Sequence, residues 1–269
     1  MDEKISNKKD KDPTFITQET VKRLIKDIRD IRKNPLESNG IYYKHDDENI
    51  LKGYALIIGP EGTPYEHGFY FFEIEYPYDY PYKPPKISFK TNQDRIRFNP
   101  NLYAAGKVCL SLLNTWRGEQ WTSCQTISSI LLTVCTVFNE EPLLNEPGVG
   151  RGHRDFLTYN EIIEYANIKI AILNIVNKNP GIYIPMFDQF YDIVMENFTK
   201  NKDNIRNKIE HLVRNNIPHP VSTSLYSMSV MIDYDKLIEY FDISHQNIFG
   251  KTKKKKKVVI KMKKSSSET

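Results

Sequence analysis

The reading of the chain turns on Arg97-Phe98-Asn99-Pro100-Asn101-Leu102-Tyr103-Ala104-Ala105-Gly106-Lys107-Val108-Cys109-Leu110-Ser111-Leu112-Leu113. One thiol, Cys109, follows Asn101 by eight residues, with Pro100 before that Asn and Gly106 between the two. A thiol that accepts and donates acyl groups needs a donor aimed at the oxygen that turns negative in the tetrahedral intermediate, and an Asn side-chain amide can serve. Pro100 fixes one backbone angle and Gly106 permits unusual ones, so the segment reads as a folded loop. The same spacing suits a buried Cys at the edge of an apolar run, and the residues alone leave both readings open.

Upstream, Val21, Leu24, Ile25, Ile28 and Ile31 recur at helical spacing, which predicts a helix over 17–34 with Thr17 as N-cap, Glu19 in the first turn, and Pro35 and Gly40 closing it. Four strand-like runs follow, at 41–44, 50–58, 69–76 and 86–89, separated by Pro60-Glu61-Gly62, Glu66-His67-Gly68 and the Pro-rich stretch 77–85. Such short connections favour an antiparallel meander, since parallel neighbours need crossovers of about a dozen residues or more. In Phe69-Tyr70-Phe71-Phe72-Glu73-Ile74-Glu75 the alternation is clear only at the end, where Glu73 and Glu75 face away from Phe72 and Ile74, giving one core face. Downstream, the apolar spacing over 126–138 predicts a helix with Cys135 on its packed face. Further helices are expected over 159–176, 185–198, 203–214 and 233–241, and they pack on the core because their apolar faces cannot stay in water.

The quoted stretch resembles the active-site segment of ubiquitin-conjugating enzymes, whose usual form is His-Pro-Asn, a short loop with Gly, then the acceptor Cys and Leu. Asn99 departs from that His. In the larger members with long extensions Asn-Pro-Asn is usual, and Leu113-Asn114-Thr115-Trp116-Arg117-Gly118-Glu119-Gln120-Trp121 is similar to theirs; its Trp-to-Trp spacing matches the Z-type. The resemblance implies an α+β fold: a four-stranded antiparallel meander with flanking helices, plus a C-terminal helical extension. The organisation it implies is a disordered N-terminus (1–14), a conjugating core (15–155), a helical extension packed on it (156–249) and a disordered Lys-rich tail (250–269). Tyr159-Asn160-Glu161, Phe190-Tyr191-Asp192 and Ile232-Asp233-Tyr234 look like segments of the Z-type extension, a looser match.

The resemblance also assigns roles. Cys109 would carry ubiquitin, or a ubiquitin-like protein, as a thioester received from an activating enzyme, and pass it to a substrate lysine or a ligase Cys. Asn101 would steady the oxyanion or shape the site. Asn99, Pro100, Gly106 and Asn145 would build the loop structure around it. In the family the loop matching Glu140-Glu141-Pro142-Leu143-Leu144-Asn145-Glu146-Pro147-Gly148 overhangs the Cys and often carries acids that orient or help deprotonate the incoming lysine; Asn145 and Glu146 hold those positions, the register being open by one residue because the preceding loop is longer than usual. Ligases would meet Tyr82 in Tyr80-Pro81-Tyr82-Lys83-Pro84-Pro85, and Trp121 and Ser123 in a loop that has Trp-Ser-Pro in the family; the Ser in place of Pro bears on ligase choice more than on catalysis. The basic face of the first helix, with Lys26 at its centre, reads as solvated on charge alone, while the resemblance implies docking of the activating enzyme and ligases there. No ATP, metal or organic cofactor is implied for this chain.

Composition bounds the alternatives. At 269 residues with 39% hydrophobic and 12% aromatic content, a core is readily built. Three cysteines (Cys109, Cys124, Cys135) give an odd count without paired or zinc-like spacing, pointing to a reducing compartment, cytoplasmic or, through the Lys-rich tail, nuclear. The formal charge is +4, but nine Lys and one Glu in 251–269 put +8 there and leave the rest at −4. Ala occurs five times while Ile, Asn, Lys and Tyr abound, an AT-rich coding bias that discounts functional readings of Lys and Asn runs. No apolar span of membrane length or leader-like N-terminus is present, so a soluble protein is expected. Three competing functions remain at this point: an inactive scaffold of the same fold that binds pathway partners, a thiol hydrolase pairing Cys109 with one of six His, and a nucleic-acid or anionic-surface binder acting through the tail.

Overall fold

Thr17 opens the first helix, α1 (Gln18–Lys33): its hydroxyl accepts from the Thr20 N–H at 3.0 Å, and Glu19 meets the positive end of the helix dipole. The computed structural model describes residues 15–250, so the expectations for 1–14 and for the Lys-rich tail lie outside the described residues. Leu24 and Ile31 of α1 enter the core, and so does Asp27, which pairs with Arg23 at 2.9 Å and accepts the Tyr80 hydroxyl at 2.6 Å. Arg23, read as part of a solvated basic face, also donates to the carbonyls of Ser123 and Gln125, tying α1 to the loop ahead of the next helix.

Strands β1 (Ile41–His45), β2 (Lys52–Ile58), β3 (Phe69–Glu75) and β4 (Lys86–Phe89) form the expected antiparallel meander in chain order. Ile41 lies opposite Ile57, Ala55 opposite Phe72 and Ile74 opposite Ile87. The expectation of one core face is corrected: β2 and β3 are covered on both sides. On one side Tyr70 and Phe72 meet Phe89, Phe98 and Phe138 with ring centroids 4.5 to 6.4 Å apart. On the other, Phe71 stacks on Phe187 at 4.6 Å and Tyr54 meets the same ring edge-on at 5.8 Å. Glu73 shares that side and stays ionised in its buried position by pairing with Lys90 at 2.6 Å.

Helix α2 (Ile127–Cys135) starts with a capping box in which Thr126 and Ser129 bond each other's backbone N–H, and it buries Ile127, Ile130, Leu131 and Val134. The extension begins with α3 (Phe156–Ala166), which runs on as a π-helical stretch, Asn167–Asn174. Asn167 and Asn174 bracket that stretch with buried amides: Asn167 takes the Tyr70 hydroxyl at 2.6 Å and gives to the Glu66 carbonyl, and Asn174 gives to Gln93 at 2.7 Å.

Phe187, the ring that covers the sheet, comes from a 3-10 turn, Pro185–Phe190. The two helices expected over 185–198 and 203–214 are one, α4 (Tyr191–Asn215). Val194, Phe198, Ile205 and Ile209 form a single buried stripe, and the polar residues between the two expected helices occupy the solvent side without breaking it. A two-stranded hairpin unmarked in the sequence reading, β5 (His219–Ser222) and β6 (Ser229–Ile232), precedes α5 (Tyr234–His245), which Asp233 caps by accepting from the Lys236 N–H at 3.0 Å. No helix among the described residues is long and apolar enough to cross a membrane, and no group of His, Cys, Asp and Glu among them is placed to hold a metal ion.

Candidate active site

Between Phe98 and Cys109 the chain folds back on itself. The Tyr103 N–H donates to the Lys107 carbonyl at 2.9 Å and the Gly106 N–H to the Tyr103 carbonyl at 2.8 Å, closing a tight turn. Gly106 sits at φ +91°, where side chains are strained, and a Cβ there would lie 2.8 Å from the Phe89 carbonyl oxygen. The turn is held to β4 from the same side, since the Phe89 N–H donates to the Gly106 carbonyl at 2.7 Å.

Asn101 and Cys109 face each other across this fold. The Cys109 N–H donates to the Asn101 carbonyl at 2.9 Å, and the Asn101 side-chain amide donates to the Cys109 carbonyl at 2.7 Å. The Asn101 amide therefore fixes the backbone of the thiol-bearing residue. The thiol is almost enclosed, with Cys109 3% exposed and its Sγ 3.2 Å from the Thr115 carbonyl. Thr115 is a site residue that spacing did not single out: its hydroxyl takes the Leu110 N–H at 2.9 Å and gives to the Leu110 carbonyl at 3.0 Å, pinning the chain just after the thiol. Lys107, two residues from Cys109, has its ammonium 5.7 Å from the centre of the Tyr103 ring.

Asn99 is fully buried and joins three segments. Its amide gives to the Val137 carbonyl at 2.8 Å and to the Tyr65 hydroxyl at 3.1 Å, and its oxygen takes the Asn101 N–H at 2.9 Å. Asn145 gives to that same Asn99 oxygen at 3.3 Å, so the loop carrying Glu146 is bonded to the segment carrying Cys109. Glu146 itself is bound from the extension: the Tyr226 hydroxyl donates to its carboxylate. Arg97, missed in the sequence, lies between the rings of Tyr103 and Tyr226, 3.8 and 4.0 Å from their centres, and its carbonyl takes the Tyr159 hydroxyl at 2.7 Å. Arg97 and Tyr226 are remote in sequence, so no local pattern points to their contact.

The residues expected to meet partners lie apart from the thiol. Tyr82 is 62% exposed, with its hydroxyl 2.6 Å from Glu19, and Lys26 and Ser123 are exposed nearby on α1 and the loop bound by Arg23. Trp121 differs from them: its ring is buried against Tyr80 and its Nε1–H donates to the Pro81 carbonyl at 2.7 Å, so it joins the two loops internally. Of the other cysteines, Cys124 is exposed and Cys135 is half-buried, its thiol pushed up by burial. Each of the six His is engaged elsewhere, as His45 with Tyr43 and the Ile50 carbonyl, His153 with the Asp155 N–H and His219 with Glu161, and among the described residues none bonds Cys109. That geometry gives the hydrolase reading no base.

Residues 23–155 match the family model described as ubiquitin-conjugating enzyme. These residues form a domain of the ubiquitin-conjugating enzyme family. It is 38% identical over 176 residues to ubiquitin-conjugating enzyme E2 Z of Danio rerio, covering 61% of this chain and 53% of the relative. The human E2 Z is 38% identical over 180 residues, 63% of this chain and 50% of the relative. A probable ubiquitin-conjugating enzyme of Acanthamoeba polyphaga mimivirus is 35% identical over 188 residues, 65% of this chain and 13% of the relative. The chain thus spans about half the length of the E2 Z relatives it matches. The described sheet, flanking helices and C-terminal helices agree with the conjugating-domain fold, and the matched residues contain the whole Arg97 to Leu113 segment.

Proposed function

We propose that Cys109 accepts the C-terminal acyl group of ubiquitin, or of a ubiquitin-like protein, from an activating enzyme and passes it to a substrate lysine or a ligase thiol. The observation that carries this reading is the reciprocal pair of hydrogen bonds between Asn101 and Cys109, which fixes a lone thiol in the segment that resembles the family's acceptor site. In the first step the Cys109 sulfur attacks the carbonyl carbon of the donor thioester, and the activating enzyme's thiolate leaves. In the second, an amine nitrogen attacks the new thioester, the Cys109 thiolate leaves, and the amine gives up its proton to form an isopeptide. Both steps are exchanges of an already activated acyl group, for which a thiol is nucleophile enough without strong activation.

The Asn101 amide has two uses open to it. Bound to the Cys109 carbonyl it holds the thiol's backbone in place; released from it, the same N–H donors serve the oxyanion of either step, where losing one donor typically costs on the order of 100-fold. Glu146 is the acid proposed to orient the incoming lysine, and Tyr82, Ser123, Lys26 and the loop held by Trp121 are the proposed meeting surface for ligases and the activating enzyme. An inactive scaffold would have no need of the thiol.

The test is a charging assay with ubiquitin, ATP and activating enzyme, read on non-reducing gels. Cys109→Ala is expected to abolish the reducible band, Cys124→Ala to retain it, and Asn101→Ala to retain it while slowing discharge to lysine on the order of 100-fold. A band that survives Cys109→Ala would remove the assignment of the nucleophile.

A further inference from the structure

The turn between β5 and β6 adopts backbone conformations that side chains rarely take: Tyr226 has φ 64° and Ser227 φ 49°. Its position is fixed from two sides. Behind it, Asp155 is buried and accepts from the Ser224 hydroxyl at 2.7 Å and the Leu225 N–H at 2.8 Å. In front, the Tyr226 ring lies over the Arg97 guanidinium and edge-on to Tyr159, while the Met228 sulfur takes the Arg97 N–H at 3.4 Å. The ring's hydroxyl reaches the Glu146 carboxylate. Arg97 relays this contact into the site, since its guanidinium donates to the Pro100 carbonyl one residue before Asn101. Among the described residues its Nε has no hydrogen-bond partner, and the two flanking rings with the bond to Pro100 hold the group.

We infer that Tyr226 is a positioning residue for acyl transfer: the extension's turn is strained and anchored so that one hydroxyl holds the Glu146 carboxylate and one ring holds Arg97. A strained, over-determined turn with a single side chain bound to both halves of a site is where such strain serves a purpose. Burial and the facing carboxylate both push the Tyr226 hydroxyl above its ordinary value, which keeps it a proton donor to Glu146. The inference rests on the conjugating reading and adds to it that the C-terminal extension is part of the transfer machinery.

The experiment is single-turnover discharge of preformed Cys109 thioester to free lysine, for the wild-type chain, Tyr226→Phe, Glu146→Gln and the double variant, with a thermal melt of each. Tyr226→Phe keeps the ring on Arg97 and removes only the hydroxyl, so its melting temperature is expected to stay near wild type. Its discharge is expected to slow about tenfold, inside the ~100-fold that misplacing a group in a site can cost. In the Glu146→Gln background the same change is expected to add nothing, because the carboxylate it positions is gone. Discharge by Tyr226→Phe at the wild-type rate, or an equal further loss on top of Glu146→Gln, would overturn the inference while leaving the conjugating reading standing. Failure of the wild-type chain to form a reducible thioester would overturn both.

Discussion

At the scale of single residues, the site is a set of polar side chains used to hold backbone. Asn99 illustrates it, with no exposure and bonds to Val137, Tyr65 and Asn101. Asn99→Ala leaves the Asn101 N–H unpaired and the Val137 carbonyl with only the longer bond from Asn145 at 3.3 Å, and should cost about 2 kcal/mol in chemical denaturation, since an orphaned buried group costs roughly 1–3 kcal/mol. Gly106→Ala meets two obstacles at once, φ +91° and the Phe89 carbonyl 2.8 Å away. It should lower the melting temperature and slow charging together, because the turn it distorts leads directly into Cys109. Cys109, Asn101 and Gly106 were legible because their chemistry sits in one short stretch. Arg97, Thr115 and Tyr226 were not: Arg97 and Tyr226 meet only through the fold, and the Thr115 hydroxyl reads as an ordinary turn residue until its bonds to Leu110 are seen.

At the scale of elements, α1, the meander and α2 follow from period and punctuation, and they stand close to where the spacing put them. The departures have physical causes. Four polar residues, Thr199 to Lys202, look like a break in α4, yet the buried stripe from Val194 to Ile209 continues past them. The β5 and β6 strands are four residues each, too short for a period to show, and the hairpin is held by side chains far off in sequence, Asp155 foremost. Burial alone would raise the Asp155 carboxyl, but the bonds from Leu225 and Ser224 outweigh it and hold the group below its ordinary value. A depressed carboxylate contributes stability that is present above its unfolded value of ~3.9 and is lost as pH falls through the folded value. Thermal melts from neutral pH downward should therefore show the gap between wild type and Asp155→Asn widest at neutral pH and closing in the acid range below about pH 4.

At the scale of the whole molecule, the extension covers one side of the sheet, which is why β2 and β3 lack clean alternation. A strand buried on both sides reads as a continuous apolar run. Phe187 is the centre of that contact, stacked on Phe71 and edge-on to Tyr54. Phe187→Ala should cost about 3–5 kcal/mol by equilibrium unfolding, as for other large aromatic truncations in a core. Core and extension would then be expected to unfold in one transition, since the rings they share belong to a single cluster. That the extension exists was legible from its helical periods; that its turn reaches Glu146 and Arg97 was not, because nothing in a linear pattern says which face of the core a helix will cover.

The most direct test of the central claim is to incubate the full chain with ubiquitin, ATP and activating enzyme, digest it without reductant, and locate the adduct by mass spectrometry. One thioester is expected, on Cys109, and it disappears on adding a thiol. An adduct on Cys124 or Cys135, or a wild-type chain that stays uncharged with every activating enzyme supplied, would contradict the claim.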